Sequence, residues 1–219
     1  MEPPPNSQPS RILVLGPSGA GKSTLARAIG SRVGLPVVHL DALYWTPGWV
    51  ASDAASFRAK VATAAAGDAW VMDGNYASSL DLRLPRAEVV IWLDLPRRIY
   101  FPRAVWRSLR GYGRPRADVG EGNLERFDWS FFRNWVWTYP SRRPGEAKLM
   151  AQLPPGLHGI TLRSPADVRR FVAGLPLSLV EILRVSGGLS VLAVGTIVIR
   201  YFERQPCGLR SAGGTAFQL

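Results

Sequence analysis

Short apolar runs alternate with stretches of helical periodicity over residues 11–174. Arg11-Ile12-Leu13-Val14-Leu15 is a compact, β-branched run that predicts a buried strand. A helix over 23–34 follows, closed by Gly34 and Pro36. Val37-Val38-His39-Leu40 predicts a second strand ending at Asp41. Ser52 or Asp53 can cap a helix that runs to about Ala66 and stops at Gly67. Trp70-Val71-Met72 predicts a third strand ending at Asp73-Gly74, and Val89-Val90-Ile91-Trp92-Leu93 a fourth ending at Asp94. Helices over about 97–110, 129–139 and 145–152 come next, then a fifth strand at Gly159-Ile160-Thr161-Leu162. Ser164-Pro165 opens a last helix to about Ala173, with proline in its first turn. Strands alternating with helices predict an α/β fold of three layers, a parallel sheet covered by helices on both faces. Such sheets bind ligands beyond the carboxyl ends of their strands. Gly16, Asp41, Asp73 and Asp94 all fall at those ends.

The loop after the first strand narrows the chemistry. Gly16-Pro17-Ser18-Gly19-Ala20-Gly21-Lys22-Ser23 matches G-x-x-x-x-G-K-[ST] at every fixed position, between a predicted strand and a predicted helix. Glycines let the backbone wrap phosphate oxygens with its N–H groups turned inward. The helix N-terminus adds partial positive charge at the same place. Residues 16–24, with Thr24 in the first helical turn, form the candidate nucleotide-binding segment. In such a loop Lys22 reaches the β- and γ-phosphates of ATP, and the Ser23 hydroxyl ligates Mg²⁺.

Phosphoryl transfer also needs a metal-side carboxylate, a positioned acceptor and positive charge over the transferring group. Asp73 suits the metal side, because it closes a hydrophobic strand and Gly74 leaves room for a ligand. Asp94 ends a strand in the manner of a Walker B carboxylate. An aspartate at a strand end serves equally well as the cap of the next helix, so both readings stand for each. Asp41 is placed to orient or deprotonate an acceptor hydroxyl, or to make a turn. His39 lies within an apolar strand and reads as a packed histidine.

Charge adds a lid. The 27 basic residues comprise Lys22, Lys60, Lys148 and 24 arginines, against 16 acids, for a net charge of +11. Residues 97–143 hold eleven arginines and four acids. Arg103, Arg107 and Arg110 share one helical face, and Gly111-Tyr112-Gly113-Arg114-Pro115-Arg116 breaks the helix with hinge-like glycines. A lid over about 97–143 would bring Arg107, Arg110 and Arg114 onto the phosphates. A solvated basic surface and a nucleic-acid face are the competing readings. The aromatics Trp129, Phe131, Phe132, Trp135 and Trp137 read as lid-to-core packing, with base stacking the alternative.

The ends differ from the middle. Residues 1–10 are proline-rich and lack the basic and apolar regions of a signal peptide, which predicts a disordered leader. Cys207 is the one cysteine, which excludes an internal disulfide framework and a cysteine metal cluster and fits a reducing, cytoplasmic compartment. Residues 175–219 carry an uncharged run over 185–199, short of the ~20 residues that cross a bilayer. A docking helix, a membrane-associated segment and a non-native tail are its three readings.

In combination, G-P-S-G-A-G-K-S, H-L-D-x-x-x-W, D-G-N-Y and W-L-D-L-P-R followed by an arginine-rich lid resemble the bacterial adenylate-kinase-like P-loop proteins called topology modulation proteins. The likeness spans roughly residues 11–174 and extends distantly to adenylate and shikimate kinases. It implies a five-stranded parallel sheet of order 2-3-1-4-5, with ATP and Mg²⁺ as cofactors. It implies that Lys22 and Ser23 serve phosphates and metal, and that Asp73 stands near the metal. Asn75-Tyr76-Ala77 replaces the segment whose arginine contacts a monophosphate acceptor in adenylate kinases, and Asp41 is closer to the acceptor-side aspartate of shikimate-type kinases.

Two functional expectations follow. One is a kinase that transfers the γ-phosphoryl group of ATP–Mg²⁺ to a nucleotide or other small hydroxyl or phosphate acceptor. The other is an ATP-binding regulatory or nucleic-acid-associated protein with slow hydrolysis.

Overall fold

A computed structural model of the protein describes residues 9–116 and 118–176. Along the chain, β1 (Arg11–Leu15) leads through the glycine loop into α1 (Lys22–Val33), then β2 (Val37–His39) and the short α2 (Leu40–Tyr44). A small hairpin, β3 (Trp45–Thr46) and β4 (Val50–Ala51), precedes α3 (Ala54–Ala65) and β5 (Trp70–Asp73). Tight helical turns around α4 (Leu80–Arg83) lead to β6 (Val89–Leu93) and α5 (Arg97–Gly111). α6 (Trp129–Phe131) widens into a π-helical turn over Phe132–Trp137, followed by α7 (Tyr139–Ala151), β7 (His158–Leu162) and α8 (Pro165–Gly174).

The sheet is all parallel, in the order β2-β5-β1-β6-β7. Strand alternation divides the core. Ile12, Val14, Ile91 and Leu93 face α1, α5 and α8, where they meet Leu25, Ile29, Tyr100, Val168 and Phe171. Leu13, Leu15, Met72, Val90 and Trp92 face the other way, onto Ala65 of α3 and Ala147 and Met150 of α7. This is why the strands read as near-continuous apolar runs: both faces are covered.

Local caps match the sequence signals. Asp53 accepts from the Ser56 N–H at 2.9 Å at the start of α3, and Ser164 accepts from the Asp167 N–H at 3.1 Å at the start of α8. Gly34 closes α1 in the left-handed conformation.

Other boundaries differ from expectation. β2 stops at His39, and Leu40 instead starts a helical turn that buries its side chain against Phe57 and Val61. The β3–β4 hairpin has no counterpart in the apolar pattern, because two-residue strands carry no readable period. α7 begins near Tyr139 rather than 145 and accommodates Pro144 inside it. The expected leader, apart from its last two residues, and the expected tail beyond Pro176, including 185–199, lie outside the described residues. Among the described residues no helix is long and apolar enough to cross a membrane.

Candidate active site

The glycine loop forms as its sequence requires. Gly21 caps α1 with φ 96°, and no side chain occupies the helix start. Its first N–H groups are thus available to an anion. Gly19 has φ 85°, and a Cβ there would collide with the Tyr100 carbonyl and sit 2.9 Å from the Ala104 Cβ. Only glycine fits where α5 presses this closely on the loop. Lys22 Nζ donates to the carbonyls of Gly16 at 2.9 Å and Pro17 at 3.2 Å. Burial lowers its pKa, opposed by Asp41 and Asp73.

These groups share one cavity of about 920 Å³, lined by residues 18–24 of the loop and helix, Asp41, Asp73, Arg107, Arg116 and Asp118. Asp41 sits in the first turn of α2 and accepts a hydrogen bond from Tyr76 Oη at 2.7 Å. Burial and the neighbouring Asp41 push the Tyr76 hydroxyl far up, so it remains a donor. Asp73 ends β5 and is 4% exposed. Its Oδ1 lies 2.5 Å from His39 Nδ1, the residue paired with it across the β2–β5 register. His39 therefore positions Asp73, a role that its apolar surroundings concealed.

The segment after α5 supplies residues that the arginine pattern did not single out. Arg116 spans Asp118, at 3.0 and 3.3 Å, and Glu125, at 3.2 Å, and stands 3.9 Å from Asp41. Burial raises the Asp118 carboxyl, but Arg116 and the Ser23 hydroxyl overcome it and hold it well below the usual carboxylate range. Glu125 is buried and also accepts from Ser108 Oγ at 2.6 Å. The segment docks on the hairpin: the Gly48 N–H donates to the Gly122 carbonyl at 3.2 Å, and the Trp49 N–H to Asn123 Oδ1 at 2.7 Å. It is thus braced over the cavity.

Of the lid arginines expected at the site, one is there. Arg107 lines the cavity and donates from Nη2 to Ser18 Oγ at 3.3 Å, and its Nε has no hydrogen-bond partner. Burial, then Arg116, lowers its pKa. A guanidinium so placed favours an anion. Arg110 and Arg114 are exposed and do not line the cavity. Their positions follow from geometry: Arg110 falls on the solvent side of α5, and the turn after Gly111 points Arg114 away and Arg116 inward. Asp94 also departs from expectation as a metal ligand. Arg143 engages both its oxygens, at 2.6 and 2.7 Å, and it lines a separate cavity of about 330 Å³.

Two supports came from distant sequence. The Gly16 N–H donates to Asn75 Oδ1 at 2.9 Å, and Asn75 Nδ2 donates to Glu146 Oε1 at 2.9 Å. Glu146 in turn accepts from Trp92 Nε1 at 2.7 Å and from Tyr139 Oη. Arg83 is fully buried and donates to four carbonyls, those of Gly74, Asn75, Tyr76 and Ser79. Burial pushes its pKa down to about 10. The D-G-N-Y string was the signal for Asn75; nothing in the sequence marked Glu146 or Arg83.

Among the described residues, no group of three or more His, Cys, Asp or Glu forms a metal cage. Ser23 and Asp73 are hard oxygen donors on the cavity wall, whereas Asp118, also on that wall, has both oxygens engaged by Arg116. Ser23 and Asp73 fit a Mg²⁺ ion held chiefly by nucleotide phosphates and water, with a single protein carboxylate.

Residues 12–94 match the model of the ATPase family associated with various cellular activities (AAA). Among solved structures, a shikimate kinase from Acinetobacter baumannii in complex with shikimate is 16% identical, over 83% of this chain and 96% of that one, with a TM-score of 0.50. A gluconokinase from Sinorhizobium meliloti 1021 is 19% identical over 76% and 95%, with a TM-score of 0.44. A shikimate kinase from Bacteroides thetaiotaomicron is 14% identical over 83% and 100%, with a TM-score of 0.45. No curated protein sequence matches the chain. The glycine loop, the parallel sheet and the Acinetobacter likeness together give this chain a P-loop NTPase fold.

Proposed function

We propose that the protein is a phosphotransferase that moves the γ-phosphoryl group of ATP to a small-molecule acceptor. The observation that carries this reading is Asp41, a carboxylate held by Tyr76 Oη on the wall of the cavity that the phosphate-binding loop also lines. An oriented carboxylate on that wall can take the proton of an alcohol acceptor, or of water in a hydrolase, and acceptor dependence separates the two.

The residues take distinct roles. The loop N–H groups and Lys22 hold the β- and γ-phosphates, and Arg107 neutralises charge on the transferring group. Ser23 and Asp73 would hold Mg²⁺, which would supply positive charge to offset that of the phosphates. Asp41 orients the acceptor hydroxyl and takes its proton as the oxygen attacks. The braced residues 118–125 exclude water that would otherwise compete as acceptor.

Acceptor-dependent ADP release tests the reading. It should require a divalent cation and fall to background on chelation. A rate unchanged by chelation, or a rate that no small molecule raises above that in ATP alone, would overturn it.

A second reading has its own observation. Trp106, Trp129 and Trp135 are 60–65% exposed along an arginine-rich surface, and the Arg142 guanidinium lies 4.4 Å from the Trp135 ring centroid. Exposed aromatics among arginines suit single-stranded nucleic acid. The same variants separate the two. For the kinase, Arg107→Ala should lower kcat by about 10²-fold, and Arg110→Ala and Arg114→Ala should stay within about twofold. For a nucleic-acid face, Arg110→Ala and Arg114→Ala should each weaken binding and shallow its salt dependence by about one unit of slope.

A further inference from the structure

The separate cavity of about 330 Å³ lies at the carboxyl ends of β6 and β7, between the starts of α5 and α7. It shares no lining residue with the phosphate-loop cavity. Asp94, Leu95, Tyr100 and Tyr139 are its buried lining, and the exposed Arg97, Arg143 and Arg163 complete it.

Two independent features point to an anion. The first is the Tyr100 hydroxyl. Tyr100 is 1% exposed, and its Oη has no hydrogen-bond partner among the described residues. A buried hydroxyl without a partner is costly, and a ligand on the cavity side would complete it. Burial raises its pKa against the opposing charge of Arg97, so it is protonated at neutral pH and donates. The second feature is charge. Asp94 is the one acid on this lining, and Arg143 engages both its oxygens, at 2.6 and 2.7 Å, with Arg163 Nε 3.8 Å away. Arg97 has no acidic partner among the described residues. Its guanidinium lies 4.0 Å from the Trp137 ring centroid, a stacking that leaves its in-plane N–H groups free. α5 also starts here, at Pro96, with no side chain capping it and no acid in its first turn. Its first N–H groups add to the positive charge.

The groups left to a ligand are therefore donors: a hydroxyl, guanidinium forks and a helix start. Several acceptor oxygens on one charged centre satisfy them together, as a phosphate does. The rest of the lining, Leu95, Pro96, Pro140 and the two tyrosines, is largely apolar. The volume is at the small end of the range of about 300–1,000 Å³ for ligand pockets. We propose that this cavity binds a small organic phosphate monoester, with its phosphate on Arg97, the Tyr100 hydroxyl and the start of α5, and its organic group on Leu95 and the prolines. The occupant lies against the first turn of α5, outside the phosphate-loop cavity, and its binding does not depend on the kinase reading.

Calorimetric titration of the full-length protein tests this. The phosphate loop is first filled with the β,γ-imido analogue of ATP and Mg²⁺, which keeps the probes out of it. Phenyl phosphate should then bind with one equivalent per chain, more tightly than inorganic phosphate. Arg97→Gln and Tyr100→Phe should each weaken it by about tenfold or more, the scale of a hydrogen bond to a charged group. Without any probe, the Tyr100→Phe protein should unfold no lower than the parent, because the change removes a hydroxyl that nothing pairs. No saturable binding, or binding that neither variant weakens, would overturn the proposal. So would inorganic phosphate binding as tightly as phenyl phosphate, which would make this a site for the free anion. A lower unfolding midpoint for Tyr100→Phe would give the hydroxyl a structural partner and overturn it too. If the ATP analogue itself does not bind, the kinase reading fails, and the same titration on the free protein still decides this site.

Discussion

Lys22→Ala is expected to lower phosphoryl transfer from ATP by about 10²–10³-fold. The lysine is the one ammonium group on the described cavity wall, and it is held at the mouth of the loop by the Gly16 and Pro17 carbonyls. Its charge matters most as negative charge shifts toward the β–γ bridge, so kcat should fall more than the affinity for ATP. Folding should change little. The side chain is half-buried, and its removal frees two carbonyls that water can reach from the cavity. Steady-state ADP release and a thermal unfolding midpoint, measured on the same preparation, check both halves. Turnover within a few-fold of the unmodified protein would remove the loop from the chemistry. A large drop in the midpoint would make the lysine structural.

How far the site could be read from the sequence depended on the range of the interactions that build it. The glycine loop is local. Its fixed glycines, its lysine and the helix after it are consecutive, and Gly19 and Gly21 take the positive φ angles that glycine permits. The strand-end aspartates were legible for a related reason, since apolar runs show where strands stop and parallel sheets align those ends. Asp41 and Asp73 reach the cavity on that logic. Asp94 ends its strand in the same way but is drawn off by Arg143, 49 residues later in the chain.

The lid shows the limit more sharply. Helical spacing sets the face that carries Arg107 to the cavity wall, because α5 runs unbroken to Gly111. Beyond Gly111 the chain follows no period. Its path is set by contacts with the hairpin at Gly48 and Trp49 and by the buried Glu125. Nothing local could say that Arg116 would turn inward and Arg114 outward. Glu146 and Arg83 were equally hidden. One reaches Asn75 from 71 residues away, and the other is an arginine at a position of no visible pattern, buried to hold carbonyls.

Asp41→Asn isolates the chemical role from the structural one. Asparagine keeps the shape and still accepts a hydrogen bond from Tyr76 Oη, so the packing of Tyr76 against Tyr44 and Phe57 should survive. What disappears is the negative charge that takes the acceptor's proton. The expected loss in kcat for acceptor phosphorylation is about 10²–10⁴-fold, the usual range for a general base. Affinity for ATP should change little, and the unfolding midpoint should stay within about 3 °C of the parent's, as for a shape-conserving change at a half-exposed site. Slow hydrolysis of ATP by water should persist, because it needs the loop and the metal but no positioned alcohol. Tyr76→Phe tests the next link. It removes the hydroxyl that fixes Asp41 while leaving the carboxylate, so its effect should be smaller, of order tenfold, and should appear in kcat before the KM for the acceptor. Equal losses for the two variants would mean that the hydrogen bond matters and the charge does not. Asp41 would then be a structural aspartate of α2, and the base would have to be sought at Asp118, the other carboxylate braced over the cavity.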